Sequence, residues 1–126
     1  MRHELELKLK NKYPDLFTDL MRPEFECGAG WVSLLDEVFE ELSKYGVSIR
    51  LVKEKFGGLV IYFVANEEDY EAVSSIVSRA EARSYMICEV CEKNGKLRKE
   101  VSHIRTLCDD CYELAKSNVL KENDNG

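Results

Sequence analysis

The sequence predicts an α+β domain in which amphipathic helices pack on a small antiparallel sheet, with a C-terminal four-cysteine zinc finger. Three observations carry this. From Trp31 through Leu34, Leu35, Val38, Phe39 and Leu42 to Tyr45, apolar residues recur at three- and four-residue steps, the period of a helix with one buried face. VSIRLV and LVIYFV, both rich in β-branched and aromatic residues, flank the turn-forming KFGG, the pattern of a β-hairpin. Four of the five cysteines stand as two CxxC pairs between Cys88 and Cys111.

A chain of 126 residues suits one folding unit carrying a metal-stapled appendage. The expected division is a helix-hairpin-helix module over 1–85, a finger with a C-terminal helix over 86–120 packed on it as one unit, and a disordered tail over 121–126. A hydrophobic share of 44% and a charged share of 33% fit a soluble globular protein. No run approaches the roughly 20 apolar residues of a membrane span, and MRHELELKLK is too charged for a signal peptide. The expected location is the cytoplasm, where reducing conditions favour metal-bound over disulfide-bonded cysteines. A net charge of −6 argues against a protein that coats nucleic acid.

Taken in order, HELELKLKNKY keeps Leu5, Leu9 and Tyr13 at helical spacing and predicts a helix broken by Pro14. PDLFTDLM predicts a short second helix before Pro23. The glycines of CGAG permit a tight turn into the main helix, and Gly46 is placed as its left-handed C-terminal cap. After the hairpin, Asn66 is placed to cap a third helix, with Glu67, Glu68 and Asp69 at its favourable end and Tyr70, Val73, Ile76, Val77 and Ala80 as its buried stripe.

Cys88, Cys91, Cys108 and Cys111 give C-x2-C-x16-C-x2-C, within the spacing for one tetrahedral zinc held by four thiolates. Asn94-Gly95 supplies a turn for a hairpin through LRKEV and SHIRTL, and YELAKSNVL follows the second pair as a helix with Asp109 and Asp110 at its start. Knuckle, hairpin and helix in that order resemble a treble-clef or zinc-ribbon finger. A structural zinc, one per chain, is preferred over a redox or iron–sulfur role, because four protein thiolates leave no open coordination position. Lys93, Lys96, Arg98, Lys99 and Arg105 are matched by Glu89, Glu92, Glu100, Asp109 and Asp110, so the favoured reading is that they offset the thiolate charge, the alternative being that they meet phosphates. His103 is expected at the surface and Cys27 as a buried, inert thiol.

The remaining candidates surround the hairpin turn. Lys53 and Lys55 share a strand face beside Phe56, Gly57 and Gly58, where cations, a ring and open amides suit a phosphate-bearing ligand or a protein. The alternative is an ordinary hairpin with solvated lysines. Trp31 is weighed as a ligand platform and as the first core residue of its helix, and Arg83 with Arg79 and Tyr85 as part of a surface shared with the knuckle. Only two histidines are present, and no nucleophile-elbow, phosphate-loop or zinc-protease motif, so no enzyme is expected.

ECGAGW, KEKFGGL with its aromatic strand, RAEARS, CEVC and TLCDDC together resemble a widespread, uncharacterised family of small bacterial and prophage proteins, over about residues 24 to 111. Many relatives carry an arginine two residues after the glycine pair, where this chain has Val60, and often a glycine where it has Glu92. The resemblance implies a setting in which small accessory proteins capture a host protein or sequester a nucleotide signal, as in phage counter-defence. The expectation is a zinc-containing, non-catalytic binding protein. A zinc-finger nucleic-acid binder is the alternative, and the sequence leaves the oligomeric state open.

Overall fold

The chain is described by a computed structural model covering residues 1–18, 22–100 and 103–124, with backbone alone for 118–124. Its order is α1 (His3–Lys12), β1 (Phe25–Glu26), α2 (Val32–Leu42), β2 (Val47–Lys55), β3 (Gly58–Ala65), α3 (Tyr70–Ser84), β4 (Lys96–Arg98), β5 (Arg105–Leu107) and α4 (Asp109–Asp124). This is the α+β architecture the sequence predicts. No helix among the described residues is long and apolar enough to cross a membrane.

β2 and β3 pair antiparallel from Val47↔Ala65 to Lys55↔Gly58, with an irregularity between Ile49 and Leu51. β1 adds a parallel edge, Phe25↔Val52 and Glu26↔Lys53, so the sheet is mixed rather than purely antiparallel. One face of this sheet is covered. Ile49, Val52, Leu59 and Ile61 are buried with Leu34, Leu35, Val38, Phe39 and Leu42 of α2 and Val73, Ile76 and Ala80 of α3. Burying each such large side chain contributes about 1.5–3 kcal/mol. Of the predicted stripes, Tyr45 and Tyr70 are instead exposed, because α2 ends at Leu42 and Tyr70 opens α3 at the sheet margin against Phe63.

The second short helix is reduced to one 3-10 turn, Pro14–Leu16, after which Phe17 is extended; residues 19–21 lie outside the described residues. Packing overrides local propensity there. Phe17 is buried, edge-on to Phe39 with ring centroids 5.4 Å apart and beside Phe25 at 5.8 Å. α1 forms as predicted, but its buried set includes charges: Lys10 and Glu6 pair at 3.1 Å, and Glu6 Oε1 accepts the Phe25 N–H at 2.7 Å.

Two predicted caps take other forms. Gly46 does not adopt a left-handed conformation. Its N–H donates to Asp69 Oδ2 at 2.8 Å and its carbonyl accepts the Asn66 N–H at 2.9 Å, while the Asn66 side chain fills the space a Cβ would need. Asn66 makes no side-chain cap bond, and a 3-10 turn, Glu67–Asp69, precedes α3. β4 and β5 form a second, two-stranded sheet. With α4 they enclose a small separate core of Cys88, Leu107 and Cys108, flanked by Cys111, Tyr112 and Ala115.

Candidate metal centre

The chain turns back on itself at Cys88–Asn94. The Cys88 N–H donates to the Lys93 carbonyl at 2.7 Å, the Glu92 N–H to the Cys88 carbonyl at 3.0 Å, and Ile87 bridges Asn94. Making this turn requires Glu92 to sit at φ 75°, a left-handed conformation that suits glycine better. Asn94 and Gly95 therefore close the knuckle, with the Gly95 N–H on the Met86 carbonyl at 2.9 Å. The predicted hairpin through LRKEV and SHIRTL forms as β4 and β5, but Asn94-Gly95 is not the turn between them: the strands are connected by residues 99–104, of which 101–102 lie outside the described residues.

β5 delivers Cys108 to the start of α4, and the first helical turn brings up Cys111, whose N–H donates to Cys108 Sγ at 3.4 Å. The four sulfurs lie within 4.8 Å of one another, with Cys91 and Cys108 3.4 Å apart. Tetrahedral coordination at about 2.3 Å per bond separates sulfurs by about 3.8 Å, so the donor set fits one soft or borderline ion.

Protonation points the same way. Burial pushes the Cys88 thiol up, but backbone N–H groups of Cys108, Cys91 and Val90 outweigh it and bring it down to about 7. At Cys91 the Lys93 N–H favours the thiolate, yet burial and the Cys108 and Cys88 thiols leave it raised. Cys111 is pushed far up, by burial first and then by the other three cysteines. Cys88 thus forms a thiolate readily while Cys91 and Cys111 resist it, an imbalance that a bound cation relieves.

The glycine-rich CGAGW turn receives this knuckle. Gly30 donates to the Glu89 carbonyl at 2.7 Å, Gly28 donates to Glu89 Oε2 at 2.9 Å, and the Trp31 indole donates to the Ile87 carbonyl at 2.9 Å. A Cβ on Gly30 would stand 2.1 Å from the Cys88 carbonyl oxygen, and one on Gly28 2.3 Å from that of Glu89. The glycines are there for backbone approach. Trp31 is fully buried in the main core, so it has no face for a ligand. Periodicity places Trp31 in the core, but nothing local to CGAGW reveals that its partner lies some sixty residues on.

At the hairpin turn, Phe56 and Gly57 both have positive φ, 53° and 87°, as a two-residue type I′ loop requires. Glu54 Oε2 accepts the Gly57 N–H at 2.6 Å, and Thr106 of β5 donates its hydroxyl to the Gly57 carbonyl at 2.7 Å. Gly57 and Gly58 are buried, the latter against Tyr85, whereas Phe56 is 67% exposed. Lys53 is half-buried, in register with Val60 and Glu26, and Lys55 is exposed; both alternate onto the sheet face away from the helices. Arg83 is not brought to this tip: its guanidinium pairs with Glu37 of α2.

The finger cations are mostly engaged. Arg98 pairs with Asp109 at 2.7 Å and lies over the Tyr112 ring, Arg105 faces Glu89 at 3.5 Å, and Lys93 faces Asp110 at 3.8 Å. Lys96, Lys99 and His103 are exposed. Cys27 is buried beside the main core, and burial pushes its thiol up to about 12, which leaves it a poor nucleophile. Comparison with protein-family models, curated proteins and solved structures finds no match for this chain.

Proposed function

We propose that this chain is a zinc-containing, non-catalytic binding protein whose recognition element is the tip of the β2–β3 hairpin. The observation that carries the reading is Phe56, a bulky residue held at φ 53° and 67% exposed. A left-handed aromatic is costly, and such outliers gather where a surface is used. Half-exposed Leu97 stands beside Gly57 at the same tip, and Lys53 and Lys55 flank it. An apolar knob with cations at its side suits a protein surface carrying an apolar pocket and carboxylates.

The ion assigned to the thiolates is zinc, one per chain, for which four sulfurs in a knuckle–hairpin–helix arrangement of treble-clef type form a closed structural site. A closed site offers no position for substrate, in keeping with a protein that binds rather than reacts. Pairing of Arg98, Arg105 and Lys93 with acids supports protein recognition over the nucleic-acid alternative. The likeness to prophage-borne proteins makes a host protein, captured in counter-defence, the partner in view.

Native mass spectrometry after purification without chelator, combined with affinity capture from host lysate, tests this. One zinc per chain and a partner held by the native chain but lost with Phe56→Asn support it. Equal capture by both proteins removes the tip from the reading, and a retained nucleotide-sized mass that depends on Lys53 and Lys55 replaces the protein partner with a phosphate-bearing ligand.

A further inference from the structure

We infer that metal occupancy governs the conformation of the hairpin tip, so that Phe56 is presented in its binding geometry only when the finger holds its ion; this rests on the tip being the recognition element. The route is short. Glu89, next to Cys88, donates its N–H to the Thr106 carbonyl at 3.0 Å, and Thr106 lies two residues before Cys108. The two halves of the thiolate set are therefore joined by a Glu89–Thr106 hydrogen bond. The fully buried Thr106 hydroxyl continues to the Gly57 carbonyl at 2.7 Å. Leu97 of β4 packs on the same turn, its Cδ1 2.4 Å from where a Gly57 Cβ would stand.

Left-handed Phe56 is adjacent, and such a conformation persists where surrounding structure fixes it. Much of that surrounding structure belongs to the finger. The two parts of the chain differ in what they can hold unaided. The helix–sheet module buries its own cluster, including Trp31, Phe39, Leu42, Val52 and Leu59, whereas among the described residues the finger's apolar core is Cys88, Leu107 and Cys108, beside the polar Glu89 and Thr106. A core that small does not order a chain segment without its ion. Removing the metal loosens β4 and β5, withdraws Thr106 and Leu97 from the turn, and leaves the module standing. By linkage, a partner that grips the tip also tightens metal binding.

Hydrogen exchange of the full-length chain, read by mass spectrometry without any partner, tests the coupling. The segments compared are 54–59 at the tip, 28–31 at the knuckle seat and 32–42 in α2. Chelation is expected to speed exchange at least tenfold in 54–59 and 28–31 while 32–42 stays protected. Zinc-loaded Thr106→Val should show the fast tip alone, with 28–31 protected, and Thr106→Ser should restore it. A tip that stays protected after chelation, or in zinc-loaded Thr106→Val, overturns the inference. So does chelation that exposes 32–42 as well, since the ion is then required by the whole fold. Because no partner is present, this experiment and the Phe56→Asn capture fail separately.

Discussion

The indole N–H of Trp31 donates to the carbonyl of Ile87 at 2.9 Å, tying the turn that opens α2 to the residue before the first metal-site cysteine. Trp31 is fully buried and is the only tryptophan. Replacing it by phenylalanine keeps a ring in the core but removes the donor. The Ile87 carbonyl is then left without this partner, which costs about 1–3 kcal/mol, and urea unfolding should show at least that loss. A midpoint unchanged from the native chain would mean that the bond contributes nothing.

Gly30 seats the knuckle backbone, so a single methyl group tests the docking. Gly30→Ala places a Cβ where the Cys88 carbonyl stands, and neither backbone can move without breaking the Gly30–Glu89 hydrogen bond. A loss of about 2 kcal/mol or more is expected, together with weaker zinc retention in a chelator competition. Retention equal to the native chain would show that the finger holds its ion without this seat.

Glu92 offers the opposite sign. At φ 75° a non-glycine residue is strained by about 1–2 kcal/mol, partly offset by the greater chain entropy that glycine loses on folding. Glu92→Gly should therefore raise stability by up to about 1 kcal/mol in thermal unfolding of the zinc-loaded protein. Destabilisation would assign the glutamate a contact that its exposed position does not suggest.

Phe56 separates stability from recognition. Asparagine tolerates the left-handed region better than an aromatic ring does, so Phe56→Asn should unfold at an equal or higher temperature while losing the captured partner. A variant that loses both would mean that the ring serves the fold.

Asp36 sets an acid limit on the α1–α2 contact. The Tyr13 hydroxyl first, then Lys12, holds its carboxyl below the ordinary value of 3.8. A depressed carboxylate contributes stability that is present above its unfolded pKa and lost as pH falls through the folded one. The native chain should thus lose stability below pH 3.8 more steeply than Asp36→Asn does in urea titrations across that range. The difference should be small, because the Asp36 side chain is 40% exposed. Parallel profiles would remove Asp36 from the acid transition.

Much of this molecule is legible before folding. α2, α3 and the β2–β3 hairpin announce themselves because each buries one face, and burial on one face writes a period into the side chains. The four cysteines do so by chemistry, since few patterns other than a metal site space thiols this way. β1 has two residues, too few to alternate visibly. The Glu6–Lys10 pair looks like any solvated i, i+4 pair, and only the aromatic wall of Phe17 and Phe25 around Lys10 makes it interior.

Side-chain pattern and donor chemistry alone determine the helices, the hairpin and the thiolate cluster. Tertiary structure decides what the two glycine-rich turns are for: CGAGW receives the backbone of Cys88 and Glu89, and the Gly57 turn receives Leu97 and Thr106. On the glycine side those contacts are made by backbone atoms, which are the same in every residue. A sequence can record them only as places where a Cβ is missing, without saying which distant segment fills the space.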